Sequence, residues 1–203
     1  KALLKCYGRQ DEAEEFLDLV TLGIISDVMV LRGENRYIAQ KGIPLIKEGR
    51  NLGIKALLKV SGIEPKDITE EDIGFQISPR INAAGRMQHA GIVVELFLSE
   101  DSQRAEELAK KLDELNEERR RVGDAMLEEA EALLKEREWG PILLFRPHWH
   151  QGIIGITAGR LCEKYKVPAI MMTLKEDGET VVGSARSIEG VNIFEVLQEC
   201  HDY

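Results

Sequence analysis

The sequence predicts an α/β chain of two bodies joined by one long helix. Three features carry this expectation. Between Ser102 and about Glu138, apolar or small residues fall at Ala105, Leu108, Leu112, Leu115, Val122, Met126 and Leu133, the three-and-four alternation of a single amphipathic helix. After this stretch, short apolar runs alternate with one helical segment, which is the grammar of a small α/β layer. Before it, the chain reads as successive helical pieces separated by turn residues.

Taken in order, residues 11–30, DEAEEFLDLVTLGIISDVMV, open with an acidic helical turn and pass into an apolar segment interrupted by Gly23, Ser26 and Asp27. The expectation is a buried helix that leads into a functional corner. LRGENRYIAQKGIPLI supplies a turn at Gly33 and a second helix, and NLGIKALLKVSGI a short helix stopped by Ser61 and Gly62. TEEDIGFQI reads as a Thr69-capped helix start with acids in its first turn, where the helix dipole favours them. The long helix, if unbroken, reaches roughly 55 Å at ~1.5 Å per residue, long enough to connect two bodies. Gly123 is its weak point, and a helical hairpin folded near Asn116 is the competing reading. Beyond WGP, PILLF reads as a strand, IIGITAGRLCEKYK as a helix and PAIMMTL as a second strand; KEDGET is a hairpin turn, VVGSARS a third strand, and NIFEVLQEC a last helix capped by Asn192. The helical crossover between the first two strands implies that they pair in parallel.

Composition narrows the class. The 203 residues, 43% hydrophobic and 31% charged, are ordinary for a globular chain with a substantial core. Cys6, Cys162 and Cys200 are far apart and form no CxxC pair, so neither a zinc ribbon nor a disulfide framework is indicated and a reducing cytoplasm is the expected compartment. No apolar run approaches the roughly 20 residues that span a bilayer, so no membrane partner is expected. The chain starts KALLKCYG without an initiator methionine, which points to a piece of something longer. A net charge of −9 argues mildly against nucleic acid, but most of the acidity lies in residues 100–138 and leaves room for a local basic groove.

Four stretches carry chemistry. In LGIISDVM, Asp27 sits among apolar residues, where an ionised carboxylate is costly unless paired or metal-bound; it reads as a hard-metal ligand or as a helix-terminal cap. ISPRINAAGRM sets Arg80 and Arg86 around Asn82 and small residues, which is either an anion clamp or an Asn82-capped turn whose arginines pair with acids. VVGSARSIEG brings Ser184, Arg186 and Ser187 to a strand end, suited to phosphate or merely solvated. FRPHWHQGIIGITAGRL places His148 and His150 in a turn, but no cysteine or carboxylate at ligand spacing accompanies them, which counts against zinc. A helix opening near Ile153 instead offers backbone N–H groups to an anion, while Gly155 and Gly159 allow close packing on a sheet.

In this order, EFLDLVTLGIISDVMVLRGENR, ISPRINAAGRM, LDELNEERR, HWHQGIIGITAGRL and GSARSIEGVNIFEVL resemble the RecJ family of bacterial single-stranded-DNA-specific exonucleases, within the DHH phosphoesterase superfamily. The resemblance runs from about Glu15 to Cys200 and implies three parts. Residues 1–100 would be the C-terminal part of a DHH catalytic domain, 101–138 the connecting helix, and 139–203 a truncated DHH-associated substrate-binding domain. It further implies 5′-to-3′ hydrolysis of single-stranded DNA in repair and recombination with manganese or magnesium, and a strand running between the two domains. By the same resemblance Asp27 matches the last metal-binding motif. Arg80, Asn82 and Arg86 fall in the motif facing the DNA, and His150, Gly152, Ser184 and Arg186 in the associated domain's substrate motifs. The family's Asp-x-Asp and Asp-His-His motifs occur nowhere in this sequence, so the chain is expected to be a fragment, inactive alone. Two other readings stand beside it. One is a DHH phosphodiesterase acting on short oligoribonucleotides or cyclic dinucleotides; the other is a non-catalytic nucleic-acid-binding or scaffold protein of the same architecture.

Overall fold

A computed structural model describes residues 5–135 and 140–200. By its internal contacts the chain divides into two compact units, Lys1–Asn116 and Glu117–Tyr203. The division falls inside the long helix.

The described part of the first unit is helical: α1 (Leu17–Ser26), α2 (Gly33–Glu48), α3 (Leu52–Val60), α4 (Ser78–Met87), α5 (Gly91–Leu98) and the first half of α6 (Ser102–Leu134). Its core gathers the apolar stripes of these helices, among them Leu22, Ile46, Ile54, Leu57, Ile77, Leu96, Leu108 and Leu112. Helices stop where the sequence offers partners for their free ends. Asn51 caps α3 by accepting from the Ile54 N–H at 3.1 Å, and its amide donates to the Phe97 carbonyl at 3.1 Å, which fixes the end of α5 beside the start of α3. That crossing is tight. A Cβ on Gly53 would lie 2.5 Å from the Leu96 carbonyl oxygen, so only glycine lets the two backbones meet. Thr69 forms the expected capping box with Asp72, the two exchanging backbone hydrogen bonds at 2.9 and 3.2 Å. The turn then widens into a π-helix at Ile73–Ile77 that feeds directly into α4.

α6 is continuous through Asn116 and Gly123, so the hairpin alternative does not occur. The expected final residues of the long helix, 136–138, lie outside the described residues, as does part of the C-terminal CHDY. In the second unit, β1 (Ile142–Phe145), α7 (Gln151–Tyr165), β2 (Ala169–Leu174), β3 (Val181–Arg186) and α8 (Ile193–Glu199) follow in order. The sheet order is β1-β2-β3, with β1 and β2 parallel and β2 and β3 antiparallel. Asp177 closes the hairpin by accepting from the Glu179 and Thr180 N–H groups and the Thr180 hydroxyl, bonds that hold its carboxyl down at about 2. Alternation along β2 buries Ala169, Met171 and Thr173, while Ile170, Met172 and Leu174 stay half-exposed on the other face. Asn192 caps α8 through the Phe194 N–H, as its sequence suggests.

Replacing Gly53 by alanine should lower the free energy of unfolding by about 1–3 kcal/mol, the usual cost of overpacking. Urea denaturation of the variant measures it; an unchanged midpoint would mean that α3 and α5 are free to separate.

Candidate functional site

The first candidate corner is the end of α1. Asp27 is the helix C-cap, and the Val28 and Met29 N–H groups donate to the Ile25 and Ile24 carbonyls at 3.0 Å, which together make a Schellman turn. Such a turn needs a left-handed residue after the cap. Here it is Val28, at φ 53°, where a β-branched side chain costs about 1–2 kcal/mol over glycine. Asp27 itself is exposed, which corrects the expectation of a carboxylate enclosed by apolar side chains. The apolar neighbours point outward: Val28 is 87% exposed and Val30 68%. Asp27 makes no ion pair with any described residue, and it stands at the negative end of the α1 dipole, where a carboxylate is disfavoured and a cation favoured.

This corner is tied to α4. The Ser78 hydroxyl donates to the Ile73 carbonyl at 2.6 Å, so the 2.6 Å contact between the Ser26 and Ser78 hydroxyls is donated by Ser26. ISPRINAAGRM is thereby helical rather than an Asn82-capped turn; Asn82 lies inside α4, on an exposed face with Arg86, while Ala83 and Ala84 are buried. Arg80 points elsewhere. Its Nε donates to Asp113 of α6 at 2.8 Å and its Nη1 to the Gln76 carbonyl at 2.6 Å, with the side chain only 14% exposed. Arg80 thus serves as a strut between the π-helix and α6.

The second unit holds the other candidates. His150 is the N-cap of α7: its Nδ1 accepts from the Gly152 N–H at 3.1 Å, and its carbonyl accepts from Ile153 and Ile154. The first-turn N–H groups of Gly152, Ile153 and Ile154 are therefore already engaged, which corrects the expectation of an open anion-binding helix tip. What the tip presents instead is a fixed tautomer. With Nδ1 accepting, neutral His150 carries its proton on Nε2, a donor directed away from the cap. His148 and the buried Trp149 are held by a residue that sequence reading missed. Glu129 of α6 accepts from Trp149 Nε1 at 2.7 Å, His148 Nε2 at 3.0 Å and Arg146 Nε at 3.3 Å. The Trp149 bond, followed by those from His148 and Arg146, holds the Glu129 carboxyl below its ordinary range. Thr173 of β2 adds a hydroxyl donated to the Trp149 carbonyl at 2.7 Å.

Gly155 and Gly159 face β3, as close packing requires. A Cβ at Gly155 would stand 2.8 Å from the Ser184 hydroxyl and 3.4 Å from Arg186 Nη2; at Gly159 it would meet Arg186 Cγ at 3.9 Å. Ser184 and Arg186 therefore lie side by side on one face of β3 (residues i and i+2), and Arg186 Nη1 donates to the Ala185 carbonyl at 2.8 Å. The Ser184 hydroxyl and the Arg186 guanidinium suit an oxyanion chemically. A metal is a different matter. Among the described residues no group of three or more His, Cys, Asp or Glu side chains is placed to hold one, and Asp27 supplies a single carboxylate.

Comparison with known proteins defines the class first: residues 140–202 match the DHHA1 domain. Over more than nine-tenths of its length the chain is similar to one segment of RecJ. It is 40% identical over 191 residues to the single-stranded-DNA-specific exonuclease RecJ of Bacillus subtilis, covering 93% of this chain and 24% of that protein. To its counterpart from Haemophilus influenzae it is 40% identical over 200 residues, covering 95% of this chain and 34% of the relative. The crystal structure of Thermus thermophilus RecJ in complex with Mg2+ superposes with a TM-score of 0.85 at 30% identity over 99% of this chain and 31% of that one. A RecJ structure bound to manganese gives 0.77 at 30% identity over 91% of this chain and 46% of that one. The chain thus spans about a quarter to a third of the curated relatives it matches.

Two outcomes test this geometry. Gly155→Ala should destabilise the second unit by about 1–3 kcal/mol and displace Ser184, because the new methyl group meets its hydroxyl; thermal unfolding and the Ser184 amide shift report it, and a silent substitution would contradict the contact. Folding lowers the Glu129 pKa from its ordinary 4.5, so the stability it contributes is complete above that value and is lost as pH falls through the folded value. Glu129→Gln should cost about 1 kcal/mol at neutral pH and flatten the acid limb of the stability profile. Parallel wild-type and variant profiles below pH 4.5 would deny Glu129 that role.

Proposed function

We propose that this chain is the strand-holding part of a 5′-to-3′ exonuclease for single-stranded DNA, contributing one metal-binding carboxylate to hydrolysis that other residues complete. The observation that carries it is the near-complete coverage of the chain by relatives named single-stranded-DNA-specific exonucleases. The local chemistry agrees. Arg186 and Ser184 would hold the 5′-phosphate, with the His150 Nε2–H as an additional donor, while Asn82 and Arg86 would follow the backbone from the exposed face of α4.

Asp27 is suited to a divalent cation, manganese or magnesium, by its oxygen chemistry and by the helix C-terminus behind it. It does not make a site by itself. The bound ion would polarise the phosphodiester and activate water; the further ligands would come from residues outside this chain. The exposed apolar residues from Val28 to Leu31 beside Asp27 are a surface for the body that brings them.

The purified 203-residue chain should release no nucleotide from single-stranded DNA with manganese; release would overturn the incomplete site. Arg186→Ala should weaken binding to 5′-phosphorylated oligothymidylate about tenfold, the value of one charge-assisted hydrogen bond, and affect the 5′-hydroxyl strand less. Fluorescence anisotropy measures both, and equal losses would remove Arg186 from the 5′-end.

A further inference from the structure

We propose that Glu129 of α6 is a positioning residue for strand binding: by holding Trp149 it sets where the His150 Nε2–H stands, although it touches no strand itself. The inference rests on the reading of His150 as a donor to the 5′-phosphate. Glu129 lies in none of the stretches that carry the family resemblance.

Three acids in this half of α6 meet side chains of the second unit, and they differ in kind. Asp124 accepts from Arg160 at 2.7 Å and Glu131 from Lys164 at 2.5 Å, pairs whose cations are about half exposed and which therefore contribute little. Glu129 reaches a buried donor instead. Its Oε2 accepts from Trp149 Nε1 at 2.7 Å and from His148 Nε2 at 3.0 Å, and its Oε1 from Arg146 Nε at 3.3 Å, while Trp149 is only 3% exposed. A buried indole N–H without an acceptor is costly. Without Glu129 the ring would shift toward another acceptor or water, and His150, the next residue, would move with it.

His150 is constrained from two sides. The bond from the Gly152 N–H to Nδ1 at 3.1 Å orients its ring relative to α7. Where α7 starts is a separate matter, set by Trp149 through Glu129 on its indole and through the Thr173 hydroxyl on its carbonyl at 2.7 Å. The tolerance is small, because five residues further on a Cβ at Gly155 would already stand 2.8 Å from the Ser184 hydroxyl.

Two substitutions separate hydrogen-bond geometry from charge. In Glu129→Gln the amide oxygen can take the place of Oε2 and keep the Trp149 and His148 bonds. Only the Arg146 bond is lost, and Arg146 retains the Phe145 carbonyl through Nη1 at 3.1 Å. Glu129→Leu fills a similar volume and accepts nothing. Both remove the negative charge, so a difference between them reports the hydrogen bonds.

The test is fluorescence anisotropy with 5′-phosphorylated oligothymidylate, at a temperature where circular dichroism shows each variant folded. Glu129→Leu should bind about tenfold more weakly, the effect of losing one charge-assisted hydrogen bond, and Glu129→Gln no more than about twofold more weakly than wild type. Trp149→Phe removes the indole donor but keeps a buried ring; it should also lose affinity severalfold, and it carries the test if Glu129→Leu does not fold. His150→Asn preserves a cap acceptor and lacks the Nε2–H, so in that background Glu129→Leu should have no further effect. The nitrogen chemical shifts of the His150 ring should match wild type in Glu129→Gln and differ in Glu129→Leu. Wild-type affinity in Glu129→Leu or Trp149→Phe, equal losses in the Gln and Leu variants, unchanged His150 shifts in Glu129→Leu, or a full loss persisting in the His150→Asn background would each overturn the positioning role and leave the 5′-end reading intact. Failure of the wild-type chain to bind any strand would overturn both.

Discussion

Glu129 accepts hydrogen bonds from three side chains of one turn, and the geometry of the second unit follows from it. The turn after β1 has to reverse the chain and start α7 within a few residues. Trp149 is buried there, and its indole N–H would be costly to leave without an acceptor. Glu129 provides that acceptor from α6, while the Thr173 hydroxyl takes the Trp149 carbonyl from β2. The turn is thus anchored to helix and sheet together. His150 then caps α7, and the glycine stripe of α7 settles against Ser184 and Arg186. The helix that packs on Ser184 and Arg186 thus starts from a turn anchored on two sides.

In the first unit the equivalent constraint is the serine pair at the end of α1. Ser26 and Ser78 join the Asp27 corner to the π-helix, and Arg80 braces that π-helix against Asp113. A π-helix leaves a widened turn whose carbonyls seek extra donors; the Ser78 hydroxyl and the Arg80 guanidinium supply them to Ile73 and Gln76. The motif therefore divides its labour. Arg80 maintains the helix, while Asn82 and Arg86 lie on its exposed face. Val28, in a left-handed conformation that suits glycine better, and largely exposed, marks the same corner as one whose strain the described residues do not relieve.

Much of this was legible from sequence because it is local. The three-and-four spacing from Ala105 to Leu133 specifies α6, and Thr69, Asn192 and Asp177 act within three residues of themselves, where side-chain reach alone decides the partner. The parallel pairing of β1 with β2 follows from the crossover helix between them. The motifs ISPRINAAGRM and GSARS also identify the RecJ relationship, since their order along the chain is independent of folding. Other assignments needed partners far away in sequence. Arg80 reads equally as an anion clamp or as paired with an acid until Asp113 of α6 is brought to it, and His148 and Trp149 have no partner in sight until Glu129 is. Asp27 reads as enclosed because its neighbours in the chain are apolar, yet those neighbours point outward.

The sequence by itself determined the long helix, the strand–helix–strand order after it and the Thr69 and Asn192 caps, set by periodicity and by groups within one turn of each other, and its motifs in order determined the family resemblance. Tertiary structure decided which charged and polar side chains are spent internally and which remain to bind. That choice depends on packing one element against another, as where Gly155 brings α7 onto Ser184 or where Glu129 of α6 meets Trp149, and no local pattern encodes such a meeting.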